Sequence, residues 1–409
     1  MNLTNWRELY AANRATIERA GLGGGAPTAA PAAPAALLAG AASTATPLAD
    51  LPGVLAAALP GAVIGPPPAL PVRLPGALPG AIIGPPPALP MRLPATLPGV
   101  QLPTSTPRPM RARPTREGGA LIHLPAGVDR DIEVPLVCML HGCTQDPHSF
   151  AAATRMNEAA DRHGFAVVYP RQEPGANPQR CWNWFLPEHQ ERDAGETGAI
   201  AAATRQIVTG GSAQAIDARR VFVAGLSSGG AMAAILAFTD PDLFAAVAVH
   251  SGLAYRSAVT MPAAFSAMAR GGEDPTMLGP AAHAAMGDRA RPVPGMVIHG
   301  DVDPTVAPVN ADQLLGQLMH ANRLAAPDGP AHDPDRPSER IRGTVDGGRA
   351  FTRSLWTDPD GTVVHERLIV HGMGHAWSGG LAGGSYTDPQ GPDATEAIWR
   401  FFAANGARA

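Results

Sequence analysis

The chain has little sulfur, few rings and few charges. Of 409 residues, three are cysteine, 5 % are aromatic and 16 % are charged. An odd cysteine count argues against a disulfide framework. The first 22 residues scatter Arg7, Glu8, Arg14, Glu18 and Arg19 where an export signal would need an apolar core. Together these predict reduced thiols and a cytoplasmic protein, with Cys138 in a core. No 18-residue apolar run is present, so no membrane span is expected. A net charge of −4 and a pI near 6.3 give no footprint for nucleic acid. His141, His148, His163, His189 and His250 are dispersed, and no cluster has zinc spacing. Neither metal nor cofactor is called for.

Glycine and proline are abundant instead, at 46 and 44 residues, and they are unevenly spread. Residues 1–21 read as a short amphipathic helix capped by Asn2 or Thr4, with Leu3, Trp6, Leu9, Tyr10 and Ile17 on one side and Asn13 interrupting it. Residues 22–114 form a low-complexity extension of Pro, Ala, Leu and Gly in which Ala58–Gly76 recurs as Ala77–Ala95 with three changes. Prolines this dense exclude helices and central strands and favour an extended, PPII-like backbone that could reach on the order of 280 Å. A passive linker would be polar. The Leu, Ile and Val between these prolines also suit adhesion to an apolar solid.

Residues 115–409 are long enough for one large core. Apolar strands at 134–140, 164–170, 221–226, 243–250 and 296–299 alternate with helical stretches at 197–208, 231–237 and 312–323. This predicts an α/β fold, doubly wound around a mostly parallel sheet. A polar surface excursion is expected over 324–349, then a hairpin over 353–370.

The chemistry is concentrated where Val221-Phe222-Val223 runs into Gly225-Leu226-Ser227-Ser228-Gly229 and an Ala/Met/Leu helix follows. Alone, such a glycine-rich turn could be structural. A strand before it and a helix after it make a nucleophile elbow, with Ser227 exposed at the sheet top and the Ser228 N–H facing a developing oxyanion. An acid and a base should follow on loops after later strands. Gly300-Asp301-Val302-Asp303 supplies the acid, Asp303, with Asp301 as rival. His371-Gly372-Met373-Gly374-His375 supplies the base, His375, with His371 as rival. The second oxyanion donor should follow strand 134–140, where Gly142 lets the Cys143 N–H turn inward.

These residues carry a family resemblance. Leu140-His141-Gly142-Cys143-Thr144-Gln145-Asp146, Cys181-Trp182-Asn183-Trp184-Phe185, Ala224 to Met232, His299-Gly300-x-x-Asp303-x-x-Val306 and Gly372 to Gly380 stand in order. They resemble the polyhydroxybutyrate (PHB) depolymerase family of esterases, with feruloyl and acetylxylan esterases as relatives. The resemblance implies an α/β-hydrolase domain over about residues 115–409, with Ser227, Asp303 and His375 as the triad and Cys143 at the oxyanion position. It places Cys143 and Cys181 near the site and leaves their pairing open. Trp182, Trp184 and Trp377 fall close to these motifs and are candidates to flank an apolar acyl chain, the alternative for Trp182 or Trp184 being the core.

The implied activity is cofactor-free hydrolysis of PHB or its oligomers through an acyl-enzyme, with the granule surface as an expected contact. A short-chain, feruloyl or acetyl ester hydrolase without polymer activity is the alternative, and a granule-binding protein is a third.

Overall fold

The computed structural model describes residues 115–117 and 120–406. The amphipathic helix expected at 1–21 and the repeat-bearing extension at 22–114 lie outside the described residues. Ten strands make one sheet: β1 (Thr115–Glu117), β2 (Ala120–His123), β3 (Val134–Leu140), β4 (Ala166–Tyr169), β5 (Ile216–Leu226), β6 (Ala246–His250), β7 (Gly295–Gly300), β8 (Glu339–Thr344), β9 (Ala350–Thr357) and β10 (Val363–Val370). Their order is β1-β2-β4-β3-β5-β6-β7-β10-β9-β8. The six central strands from β4 to β10 pair in parallel, and antiparallel strands finish both edges. The expected doubly wound α/β-hydrolase sheet is present.

β3 shows why such a sequence folds this way. All seven of its residues are buried. Leu136, Cys138 and Leu140 pack into the core on one face of the sheet, while Val137 and Met139 pack into the core on the other. A strand covered by helices on both sides must be apolar at every position. Pro135 cannot donate to a ladder, and it sits where the pairing with β5 shifts register. The polar excursion after residue 324 is largely exposed but contains β8, whose pairing with β9 makes it a sheet edge rather than a loop.

From β3 the chain crosses to β4 on one side and returns to β5 on the other. Ligands in open α/β sheets bind at such a reversal, beyond the strands' carboxyl ends. The Cys143 loop and Ser227 both emerge there.

Three histidines are built into this interior as neutral acceptors. His141 Nε2 accepts the Gln172 N–H at 3.2 Å, His250 Nε2 accepts the Ser378 N–H at 3.1 Å, and His365 Nε2 accepts from Asn322 Nδ2 at 3.3 Å. Burial pushes their pKa values down, to about 4 for His141 and about 3 for His250 and His365. In the unfolded chain each takes up a proton near pH 6.5, so from there down to its folded pKa acid favours unfolding. Stability should be full above about pH 6.5 and fall on acidification to about pH 4, each histidine contributing up to about 1.4 kcal/mol per pH unit. Urea midpoints measured across that interval test this, and a flat profile would contradict it.

Candidate active site

The elbow is formed by main-chain proximity. Ser227 closes β5 with φ 57° and ψ −121°, a conformation that costs on the order of 1–3 kcal/mol in a residue with a Cβ. Neighbouring contacts hold it there. The Ser227 N–H donates to His250 O at 3.0 Å, and its carbonyl accepts from Ala231 N–H at 2.9 Å. Gly229 packs so tightly under β3 that a Cβ would stand 2.1 Å from Leu140 O. A Cβ on Gly225 would stand 2.3 Å from Gly229 O. Only glycine fits at either place. The helix Ser228–Thr239 starts immediately after Ser227, directing its free N–H groups at the site.

Opposite lies the loop after β3. The Gly142 N–H donates to Gln145 Oε1 at 3.0 Å and the Thr144 N–H to Gln179 O at 2.6 Å. Between them, the Cys143 N–H has no partner among the described residues. Gln145 also donates through Nε2 to Ser385 O at 2.9 Å, tying this loop to the segment beyond His375. The sequence motif included Gln145 but gave it no role, since a glutamine's partners are not read from its neighbours in the chain.

The cysteine expectation is corrected here. Cys143 and Cys181 form a disulfide, with Cα atoms 4.2 Å apart. The odd count arises because the third cysteine, Cys138, is a buried free thiol in β3. The bridge and the Thr144–Gln179 bond together join the Cys143 loop to the cavity wall around Asn177–Phe185.

Asp303 and His375 meet as anticipated: His375 Nδ1 and Asp303 Oδ2 are 2.7 Å apart. Asp303 Oδ1 accepts the N–H groups of Thr305 and Val306, each at 2.9 Å. Burial works against the charged form of Asp303. The His375 contact and the two N–H bonds outweigh it, holding the carboxyl below the usual range. The carboxylate can therefore orient the imidazole with Nδ1 protonated, leaving Nε2 as the basic atom. The rivals, Asp301 and His371, pair with each other nearer the surface at 2.8 Å. His299 was part of the sequence motif but carried no assigned role. It lies 3.5 Å from Asp303 Oδ2 and donates through Nε2 to Val306 O at 2.8 Å, bracing the acid loop from below.

Ser227, Ser228, Cys143 and His375 all border one cavity of about 490 Å³ whose remaining lining is mostly apolar. Of the three tryptophans expected there, Trp184 is in the wall. Trp182 and Trp377 are corrected to core positions. Trp182 is buried with Nε1 donating to His141 O at 3.0 Å. Trp377 is buried between His250 and Phe150, with Nε1 donating to Thr395 Oγ1 at 3.1 Å. Their proximity in sequence to the catalytic motifs misled because both segments turn inward at once. The outer wall comes instead from Met261, Phe265 and Met268 on the helix Met261–Arg270, and from Tyr386.

Comparison with known proteins agrees with this architecture. A family model described as "Esterase PHB depolymerase" matches residues 119–335, a span containing Cys143, Ser227 and Asp303. Poly(3-hydroxyalkanoate) depolymerase C of Paucimonas lemoignei is 34 % identical over 256 residues, 62 % of this chain and 57 % of that protein. Poly(3-hydroxybutyrate) depolymerase of Ralstonia pickettii is 27 % identical over 260 residues, 61 % of this chain and 49 % of that one. The chain thus spans about half the length of these relatives. Among solved structures, an acetyl xylan esterase from Aspergillus awamori superposes with a TM-score of 0.53 at 20 % identity, covering 70 % of this chain and 93 % of that one. That likeness concerns the fold.

The bridge has a simple chemical signature. Thiol titration of the denatured, unreduced protein should give one reactive group per chain, Cys138, and three after reduction. Three before reduction would show the bridge to be absent.

Proposed function

The chain belongs to the esterase PHB depolymerase family, and from that premise we propose that it is a serine esterase hydrolysing polyhydroxybutyrate or its oligomers. What supports this reading is that Ser227, Ser228, Cys143 and His375 border one mostly apolar cavity, with Asp303 bonded behind His375. In this reading His375 Nε2 takes the Ser227 proton as Oγ attacks the ester carbonyl. The carbonyl oxygen becomes an oxyanion held by the Cys143 and Ser228 N–H groups. His375 then gives its proton to the departing alcohol, leaving an acyl-Ser227 ester. Water attacks that ester with His375 again as base, releasing a 3-hydroxyacid or a short oligomer and restoring the Ser227 hydroxyl. Asp303 stays ionised throughout and stabilises the imidazolium.

Polymer as substrate is supported by the names of the two depolymerase relatives and by the cavity's mouth. Phe265, Met261 and Tyr386 are 66 %, 54 % and 45 % exposed there. Three large apolar side chains around one opening suit contact with a hydrophobic chain or granule surface. The extension at 22–114, rich in Leu, Ile and Val between prolines, could add to granule contact.

The reading is tested by release of 3-hydroxybutyrate from amorphous PHB granules. The native protein should release it and Ser227→Ala should not. Cleavage of a soluble aryl ester without release from granules would make the chain a small-ester hydrolase on the same triad. A Ser227→Ala variant that retained the biological effect would favour granule binding over catalysis.

The rim is tested by the double substitution of Met261 and Phe265 to Ser. It should lower granule hydrolysis roughly ten-fold, as expected for removing two exposed apolar anchors. Soluble-ester kcat/KM should stay within about two-fold, and equal losses on both substrates would reject a surface-contact role.

A further inference from the structure

The strand pair β7 and β10 ends at Gly300 beside Val370, but the two chains continue side by side into the site. The Asp301 N–H donates to Val370 O at 3.2 Å, and the Val302 N–H donates to Met373 O at 3.3 Å. A Cβ on Gly300 would stand 2.1 Å from Met373 O. Asp303 then meets His375. The side chain that ties this seam is Asp301. Its Oδ2 contacts His371 Nδ1 at 2.8 Å, and its Oδ1 accepts the Gly372 N–H at 2.6 Å. His371 is anchored in turn, its Nε2 2.9 Å from Thr352 Oγ1 on β9.

We propose that Asp301 and His371 are positioning residues that lock the acid loop to the base loop and thereby set the Asp303–His375 contact. The inference rests on the triad reading above. The turn 371–375 carries glycine at 372, with φ 72°, and at 374, and so has backbone freedom that something must remove. Asp301 removes it at the turn's first two residues. Fixing Gly372 leaves three residues to place His375, and a misplacement of about 1 Å in a general base can cost roughly a hundred-fold. Partial burial opposes charge on Asp301, but the His371 contact and the Gly372 N–H hold its carboxyl below the usual range, so the brace carries its charge into mild acid.

The test uses the full chain and a soluble aryl ester, with rates referred to folded protein. Asp301→Ala should lower kcat roughly ten-fold with KM within about two-fold. It should also broaden or abolish the far-downfield proton resonance of His375 Nδ1 in its bond to Asp303. Asp301→Asn keeps an acceptor for Gly372 and should recover much of both. If Asp301→Ala does not fold, His371→Ala, which removes a partly exposed side chain, should show the same kcat loss to a smaller extent. Unchanged kcat, or lowered kcat with the His375 resonance intact, would overturn the proposal. Asp303→Asn separates the two readings. Full activity in that variant would fail the triad itself, whereas its collapse beside an unaffected Asp301→Ala would fail the brace alone.

Discussion

The structure depends on backbone lying against backbone at the turn after β5. Ser227 occupies a conformation that side-chain-bearing residues avoid, and it is held there because Gly229 sits under the end of β3 and Gly225 under Gly229. Relaxing that turn would require the helix Ser228–Thr239 to back away from the sheet. All twelve residues of the helix are buried, so any retreat would expose apolar surface at about 25 cal/mol per Å². The strain at one residue is thus balanced by the core. Cys143 and Ser228 face each other because β3 and β5 are neighbours in the sheet.

The electrostatics follow a consistent division. Carboxylates at the site receive several donors each: Asp303 has two N–H groups and an imidazole, and Asp301 has one of each. The buried histidines beneath receive an N–H at one ring nitrogen, which only the neutral ring can accept. Fixed negative charge stands beside His375, and fixed positive charge does not accumulate below it. In the proposed reaction, an imidazolium forming at His375 would therefore meet an environment already arranged for it.

Much of this was legible in the sequence for local reasons. β3, β7 and residues 221–226 of β5 are runs of largely apolar residues long enough to be buried strands, and the elbow's glycines are read directly once a strand precedes and a helix follows. Asp303 was separable from Asp301, and His375 from His371, only by expectation, because both pairs are real contacts and differ in depth rather than in chemistry. Trp377 was misread, and Trp182 was left between wall and core, because nearness along the chain does not say which way a ring points; each hydrogen-bonds inward. The bridge was left open because cysteine number says nothing about two Cα atoms brought together by Thr144 and Gln179. The helix Met261–Arg270 was missed. Its short length and a Pro at its second position make it look like loop, and its fourth-residue spacing of Met261, Phe265 and Ala269 points outward rather than to a core.

That helix is fastened mainly at its far end, where Ala307 N–H donates to Met268 O at 2.7 Å and Asn310 Nδ2 to Ala267 O at 3.0 Å. It contributes four wall residues, Met261, Ala264, Phe265 and Met268, and none of the groups proposed for bond making or breaking. It is also inserted between β6 and β7, after one strand of the sheet has ended and before the next begins. This gives the molecule an exchangeable part. Changes within residues 261–270 would reshape the cavity wall while leaving the proposed triad and the glycines beneath Ser227 in place.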